Sequence, residues 1–516
     1  MEWDDEVAGI AARHQQAQQH GGPDAVAKHR ARGKTPIRER MQALLDPDSG
    51  REVAPIAGYS EQDEQGESHF TPANYALATG RIGDRTVVVG GEDFTIRGGS
   101  PSVAGLRKSV FAEGLALRLR VPLIKLLEGS GGSVGRPSSG RPAPPDLLNQ
   151  PARFLSIMRA MQTVPVAAAA LGPVAGMPAA RLTASHFSVM VRDVAQVMIA
   201  GPAVVERALG GQHSKESLGS ADVHLRSGVV HNAARDERDA WQQIRTFLSY
   251  LPQHVGDTPP IVDSEDSSER LDPRLRTLIP KDRRKPYKMR SLIQSVCDEG
   301  SFFEIQPLFG RGQITGLARL QGHPVGILAN DPMFYAGAMT ASAAQKMARF
   351  VDFCDTFHIP IVSLVDQPGF MIGPEAEQAG TLRFGTAAIC AVMQSRVPWV
   401  SVMVRKSYGV ASAAHYGPEA TVLAWPSAEA GALPLEGGVA VAFRREIENS
   451  PDPETTRKAL EASLAERRDP YALGEAATVY DLIDPAATRS HLCHWLQLHR
   501  PLLQLQCTIT DKGCRP

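Results

Sequence analysis

Apolar and polar positions alternate in blocks along most of this chain, and two of the blocks are near copies. VPLIKLLEGSGG, from Val121 to Gly132, and IPIVSLVDQPGF, from Ile359 to Phe370, each run from a β-branched residue and a proline through a short apolar stretch to an acid and a glycine turn. Apolar runs of that length, bounded by turn residues, predict buried strands. Ahead of each lies another apolar strand, a glycine-containing loop and a helix with a late lysine: GRIGDRTVVVGGEDFTIRGGSPSVAGLRK from Gly80, and ARLQGHPVGILANDPMFYAGAMTASAAQK from Ala318. Behind each comes a further strand, TVPVAAAALGPVAGM from Thr163 and RVPWVSVMVRKSYGV from Arg396. Val121 and Ile359 are 238 residues apart, and Val164 and Val397 are 233 apart. Four echoes in the same order with so little drift predict an internal duplication of one β-α-β-α unit.

The same pattern divides the chain. Residues 1–55 are charged and Gln/Ala-rich with helical spacing, and predict an N-terminal helical arm. Residues 56–250 and 286–516 alternate strand-like and helical runs, the signature of layered α/β structure, and form the two copies. Between them, residues 251–285 are rich in Pro, Asp, Ser and Arg and read as a linker. A length of 516 residues suits two or three domains. Lys+Arg 55 against Asp+Glu 56 leaves no global field, so neither nucleic acid nor an acidic membrane is an expected partner. Six scattered cysteines without a CxxC pair speak against a zinc ribbon or a disulfide scaffold, and no metal site is expected. The acidic start, MEWDDEVAGI, lacks a signal-peptide pattern, so a reducing, cytoplasmic setting is the expectation. Ala160 to Ala180 is uncharged over 21 residues, long enough for a membrane span. Its prolines and glycines instead predict a buried strand, a turn and a helix start.

Candidate chemistry sits where the last strand of each copy turns. VAAAAL leads into GPVAGM, and WVSVMV leads into RKSYGV and then Ala411, Ser412, Ala413 and Ala414. Each turn places a glycine, Gly176 or Gly409, before a run of small residues. Unpaired N–H groups at a helix start, approachable because the side chains are small, can stabilise negative charge on oxygen. Tight helix–sheet packing selects the same residues, so the pattern alone leaves both readings open.

Longer motifs resolve this. ARGKTPIRERMQALLDPDS, DFTIRGGSPS, the SGG at Ser130–Gly132, GPVAG, SGVVHNAARDERDAWQQIRTFLSYLP, FFEIQPLFGRGQITGLARLQGHPVGILAN, ARFVDFCDTFHIPIVSLVDQPGF, AWPSAEA, FRREI and DPYALGEAATVYDLIDPAATR occur in order over nearly the whole chain. They resemble the carboxyltransferase (β) subunits of biotin-dependent acyl-CoA carboxylases, the propionyl-CoA and methylcrotonoyl-CoA carboxylase family. The resemblance implies two duplicated crotonase-like β-β-α superhelix domains, an acyl-CoA substrate, and carboxybiotin carried on a partner chain. In that family, carboxybiotin releases carbon dioxide, the biotin ureido group takes the acyl α-proton, and the thioester enolate attacks the carbon dioxide. Two enolate oxygens need stabilising, and two copies of the unit offer two holes. By position, Gly176 and Met177 correspond to the acyl-CoA hole, and Gly409, Val410 and Ala411 to the biotin hole. Gly131, Gly132, Ser133, Gly369 and Phe370 are expected to line the pocket, and Ala413 to border it. Lys108, with Arg107 and Lys346, is a candidate for CoA phosphates; solvated helix faces are the alternative.

No side-chain base is required by this scheme, so His415 reads as a packing residue, and Glu128 and Asp366 as acids capping a loop or helix start. The chain has neither an Ala-Met-Lys-Met biotinylation motif nor a glycine-rich ATP loop, which implies a partner biotin carboxylase and carboxyl carrier subunit. The resemblance further implies a homohexamer, a trimer of dimers, with the N-half of one subunit facing the C-half of another. Three departures concern the substrate: Ser133-Val134-Gly135-Arg136 after SGG, Met177 in place of a glycine, and Ala413 where some relatives carry an aspartate. Rival readings are a biotin-dependent acyl-CoA decarboxylase subunit, a crotonase-like acyl-CoA enzyme without biotin, and a silent scaffold.

Overall fold

The computed structural model describes residues 3–62, 65–66, 68–131, 150–466 and 469–507. Gly132 and Ser133 lie outside them. The chain forms two compact units, one up to Asp257 and one from Thr258 to Cys507.

Each unit is built on an eight-stranded sheet, and the two sheets follow the same path. In the first unit the order is Arg51–Glu52, Tyr75–Ile82, Arg85–Glu92, Leu123–Gly129, Val166–Ala175, Phe187–Val191 and Asn232–Ala234, with Gln196–Met198 paired beside Val166–Ala175. In the second it is Phe303–Ile305, Gln313–Leu320, His323–Asn330, Ile361–Gln367, Trp399–Tyr408, Thr421–Ala424 and Asp481–Leu482, with Glu429–Gly431 beside Trp399–Tyr408. The first three strands of each are antiparallel and the rest parallel. The duplication and the crotonase-like α/β class expected from the sequence are both present.

The repeated phrases are strands Leu123–Gly129 and Ile361–Gln367, and every residue in them is buried. Parallel strands covered on both faces tolerate apolar residues at each position, which is why the sequence shows runs rather than alternation. Both strands carry a register irregularity at the same place, between Leu127 and Gly129 and between Val365 and Gln367. Equivalent helices, Val103–Leu119 and Ala341–Thr356, are N-capped by Ser102 and Thr340. Ahead of each cap lie three consecutive left-handed residues, Arg97-Gly98-Gly99 and Tyr335-Ala336-Gly337.

Ala160 to Ala180 becomes the end of a helix, the buried strand Val166–Ala175 and the start of helix Met177–Thr183. Among the described residues no helix is long and apolar enough to cross a membrane. Helices Asp4–Gln18, Pro23–Arg30 and Ile37–Leu44 occupy the arm region, and the third buries Ile37, Arg40, Met41 and Leu44. Residues 258–285, within the stretch read as a linker, belong to the second unit. Arg270 donates to the carbonyls of Ser295 and Cys297, and Arg489 donates to those of Asp266 and Ser267.

Candidate active site: two equivalent glycine turns

In the first unit three backbone segments meet where strand Leu123–Gly129 ends. A Cβ on Gly99 would fall 2.5 Å from the Glu128 carbonyl oxygen, and one on Gly131 would fall 2.9 Å from that of Ala175. Gly131 has φ +76° and Gly176 has φ +64°, so the close approach and the left-handed turns both require glycine. Ser130 N–H donates to the Gly98 carbonyl at 3.0 Å, and its hydroxyl lies 2.9 Å from that of Ser100. Gly176 precedes helix Met177–Thr183, with Pro178 at its start. Ala180 N–H closes the first turn on the Gly176 carbonyl at 3.0 Å, while the N–H groups of Gly176 and Met177 have no acceptor among the described residues. Gly176 is exposed and Met177 half-buried.

The second unit repeats the arrangement with different detail. Gly369 stands 238 residues after Gly131 and has φ +129°. Its N–H donates to Gln367 Oε1 at 3.1 Å, and its carbonyl accepts from Met339 at 3.0 Å. The Phe370 ring packs over Gly385, where a Cβ would fall 2.2 Å from it. Gly409, at φ +64°, donates its own N–H to the Gly431 carbonyl at 3.0 Å. Val410 and Ala411, which open a short 3₁₀ segment, Val410–His415, are the N–H groups of this turn with no acceptor among the described residues. Val410 is 69% exposed, Ala411 buried and Ala413 half-buried.

The neighbouring polar groups separate structural from available chemistry. His415 is fully buried, within hydrogen-bond distance of Ser363 Oγ (3.1 Å) and Gln367 Nε2 (3.3 Å), and burial lowers its pKa to about 3. It is a neutral packing residue in the physiological range. Glu128 and Asp366 are not caps. Glu128 is bound by Lys34 (2.7 Å) and Arg40 (2.6 Å), and Asp366 by Arg405 (2.9 Å) and by the Lys406 N–H (3.1 Å). Lys346 is likewise internal. Its ammonium donates to the carbonyls of Gln306, Phe309 and Gln313 at 2.7–3.1 Å, and burial pulls its pKa down to about 7.

Lys108, its counterpart, is also buried, and its pKa falls to about 8 against the opposing pull of Glu52. Arg107 is exposed. Glu92 lies beside the first turn, accepting weakly from Glu128 N–H at 3.4 Å. Burial raises its pKa to about 7 despite the positive charges of Arg181 and Lys125.

Sequence reasoning passed over Lys34, Arg40 and Arg405. The signal was present: a 233-residue offset sets Gly172 against Arg405 in strands otherwise alike.

Comparison with known proteins gives a consistent picture. The carboxyl transferase domain family model matches residues 28–503. The chain is 34% identical over 505 residues to the carboxyltransferase subunit of propionyl-CoA carboxylase from Haloferax mediterranei, covering 95% of each. It is 32% identical over 480 residues to the methylmalonyl-CoA decarboxylase subunit alpha of Veillonella parvula, covering 91% of each. It is also similar to the crystal structure of transcarboxylase 12S, a hexamer with methylmalonyl-coenzyme A and methylmalonic acid bound. That match has a TM-score of 0.86 and 30% identity, and covers 96% of this chain and 95% of the other.

Proposed function

The chain belongs to the carboxyl transferase domain family, and from that premise we propose how its two units divide the reaction. It is the carboxyltransferase subunit of a biotin-dependent acyl-CoA carboxylase, acting on an acyl-CoA thioester with carboxybiotin as the donor. When bound, carboxybiotin supplies the carboxyl group and, after its loss, a basic ureido nitrogen. The chain's own task is to hold negative charge on oxygen. Gly176 and Met177 N–H groups serve the thioester oxygen, and Val410 and Ala411 N–H groups serve the ureido oxygen. Backbone donors suit this because they are fixed before the reaction and cannot be titrated away. The second turn fits a ureido group: Gly409 carries no side chain, and two N–H groups beside it have no acceptor among the described residues.

The observation that carries the reading is that one sheet path occurs twice, and each copy ends its equivalent strand at a left-handed glycine beside N–H groups that have no acceptor among the described residues. Purification with native partners tests it. A biotinylated chain is expected to co-purify, and ATP and bicarbonate to be consumed with acetyl-, propionyl-, butyryl- or methylcrotonoyl-CoA. No turnover with any acyl-CoA would refute it. Gly176→Pro removes a donor and distorts the left-handed turn, Ala411→Pro removes a donor, and each is expected to lower carboxylation about 10²-fold or more.

The likeness to a decarboxylase subunit supports a second direction, since the same holes serve the reverse reaction. ATP-independent release of carbon dioxide from methylmalonyl-CoA would identify it. We further propose a homohexamer, on the strength of the similar transcarboxylase 12S hexamer. Light scattering that gave a stable monomer at micromolar concentration would exclude it. A biotin carboxylase and carboxyl carrier partner, and a cytoplasmic setting, complete the proposal.

A further inference from the structure

The two copies solve one electrostatic problem differently. Glu128 and Asp366 occupy the same place in the repeat, 238 residues apart, and both are fully buried next to the turn that ends their strand. A carboxylate so placed needs a cation. In the second copy the cation comes from the adjacent strand. Arg405 donates Nε to both Asp366 oxygens (3.2 and 3.1 Å) and Nη2 to Oδ2 (2.9 Å), and lies 4.8 Å over the Tyr287 ring.

The position equivalent to Arg405 in the first copy is Gly172. A Cβ there would fall 2.3 Å from Glu128 Oε1, so the longer acid fills the space that a side chain would take. The cations come instead from the segment ahead of the first strand, on and just before helix Ile37–Leu44. Lys34 reaches Oε1 at 2.7 Å, and Arg40, itself fully buried, reaches Oε2 at 2.6 Å. Arg40 also donates to the Leu171 carbonyl (3.3 Å) and to Glu237 (2.8 Å), and His29 approaches Glu128 at 3.7 Å. Two cations thus face two acids, and the cluster is balanced. The ARGKTPIRER motif, which the two-hole scheme does not use, is the segment that supplies them.

We propose that the segment carrying Lys34 and Arg40 is a working part of the first site: it replaces Arg405 as the counter-charge that holds Glu128, and through Glu128 it fixes the Gly129–Gly131 turn against Gly176. Lys34 and Arg40 are positioning residues, not catalytic ones. The mechanical link is short. The Glu128 carbonyl is the atom that a Cβ on Gly99 would strike, and Gly131 lies against the Ala175–Gly176 peptide. The functional half of this proposal rests on the assignment of the first turn to acyl-CoA.

The test transplants the second copy's solution into the first, in the full chain with its partner subunits. Lys34→Met/Arg40→Leu removes both counter-charges. Glu128→Asp/Gly172→Arg, added to that background, rebuilds the Asp366–Arg405 pair. Hydrogen exchange is read on segments 123–131, 172–183 and 361–371, and carboxyl transfer is measured alongside. The double variant is expected to exchange at least about tenfold faster in the first two segments and unchanged in the third. Its carboxyl transfer is expected to fall about 10²-fold, the loss that a misplaced reacting group brings. The fourfold variant is expected to recover both.

Unchanged exchange in the double variant would overturn the proposal, as would a folded fourfold variant no better protected than its parent. If the double variant does not fold, recovery of a folded chain by the transplant supports the proposal and failure to recover it counts against. Exchange that responds as expected while carboxyl transfer stays at the wild-type rate would leave the positioning role standing and overturn the acyl-CoA assignment.

Discussion

Gly98 and Gly99 are neighbours with nearly the same backbone conformation, and alanine at the two positions is expected to have very different effects. Their φ values are +62° and +67°, so alanine at either carries the cost of a left-handed residue, about 1–2 kcal/mol. That cost alone is tolerable: Ala336 stands at the equivalent of Gly98 with φ +54°. The space around the two differs. A Cβ on Gly98 has its nearest neighbour, Ser130 Oγ, at 3.4 Å, an ordinary contact. A Cβ on Gly99 would lie 2.5 Å from the Glu128 carbonyl oxygen and 2.8 Å from Gly129 Cα, both of them backbone. The strand end would have to retreat by about 1 Å, and overpacking of that kind costs roughly 1–3 kcal/mol more. Displacement on that scale beside a reacting centre lowers rates by about 10²-fold.

Gly98→Ala is therefore expected to keep most activity and lose about 1 kcal/mol or slightly more, whereas Gly99→Ala loses roughly 2–5 kcal/mol and most carboxyl transfer. Gly337→Ala, whose Cβ would lie 2.9 Å from the Asp366 carbonyl, falls between them. Thermal midpoints and kcat/KM, measured side by side for the three variants, check the order. A Gly99→Ala enzyme within about threefold of Gly98→Ala would refute the claim that the Gly99–Glu128 contact fixes the turn.

Three further outcomes are expected. His415→Gln retains most activity and flattens the acid limb of stability. The folded His415 has a pKa of about 3 against an ordinary 6.5, so the unfolded chain takes up its proton first, and the contribution present above pH 6.5 is lost as pH falls toward 3; denaturation curves from pH 7 to 4 read this. Glu92 works in the opposite sense. With its pKa raised from 4.5 to about 7, it stabilises the fold fully below pH 4.5 and loses that contribution as pH rises through 7, and Glu92→Gln removes the slope between those values. Ala413→Asp shifts acyl preference toward shorter chains, by no more than about 1–3 kcal/mol between neighbouring acyl groups. Competition among acetyl-, propionyl-, butyryl- and methylcrotonoyl-CoA measures the shift, and an unchanged profile would place Ala413 away from the acyl pocket.

What the sequence made legible follows from what is local. Leu123–Gly129 and Ile361–Gln367 are covered on both faces, so their apolar runs stand out, and the 238- and 233-residue offsets between copies reappear in the paired strands. Gly176 and Gly409 were legible because a left-handed turn after a strand admits few other residues. Glu128 was misread because its partners lie 88 and 94 residues away, beyond any local pattern. Gly172 read as part of a turn, yet it lies within strand Val166–Ala175, where its missing side chain accommodates Glu128. Lys346 could have been placed correctly: it shares a helical face with Ala343, Met347 and Phe350, all buried.

The Arg40–Glu237 pair joins residues 197 positions apart and so spans almost the whole first unit. On the ribosome, Arg40 emerges long before the acid that completes its cluster. At the usual elongation rates, roughly 10–40 s separate the two. During that interval Lys34 and Arg40 face Glu128 alone, with one positive charge in excess, and the last ion pair of the cluster forms once helix Glu237–Ser249 has been made. The second unit has no such wait, because Asp366 and Arg405 are 39 residues apart. Of the two glycine turns, the one translated first is the slower to reach its final electrostatic state.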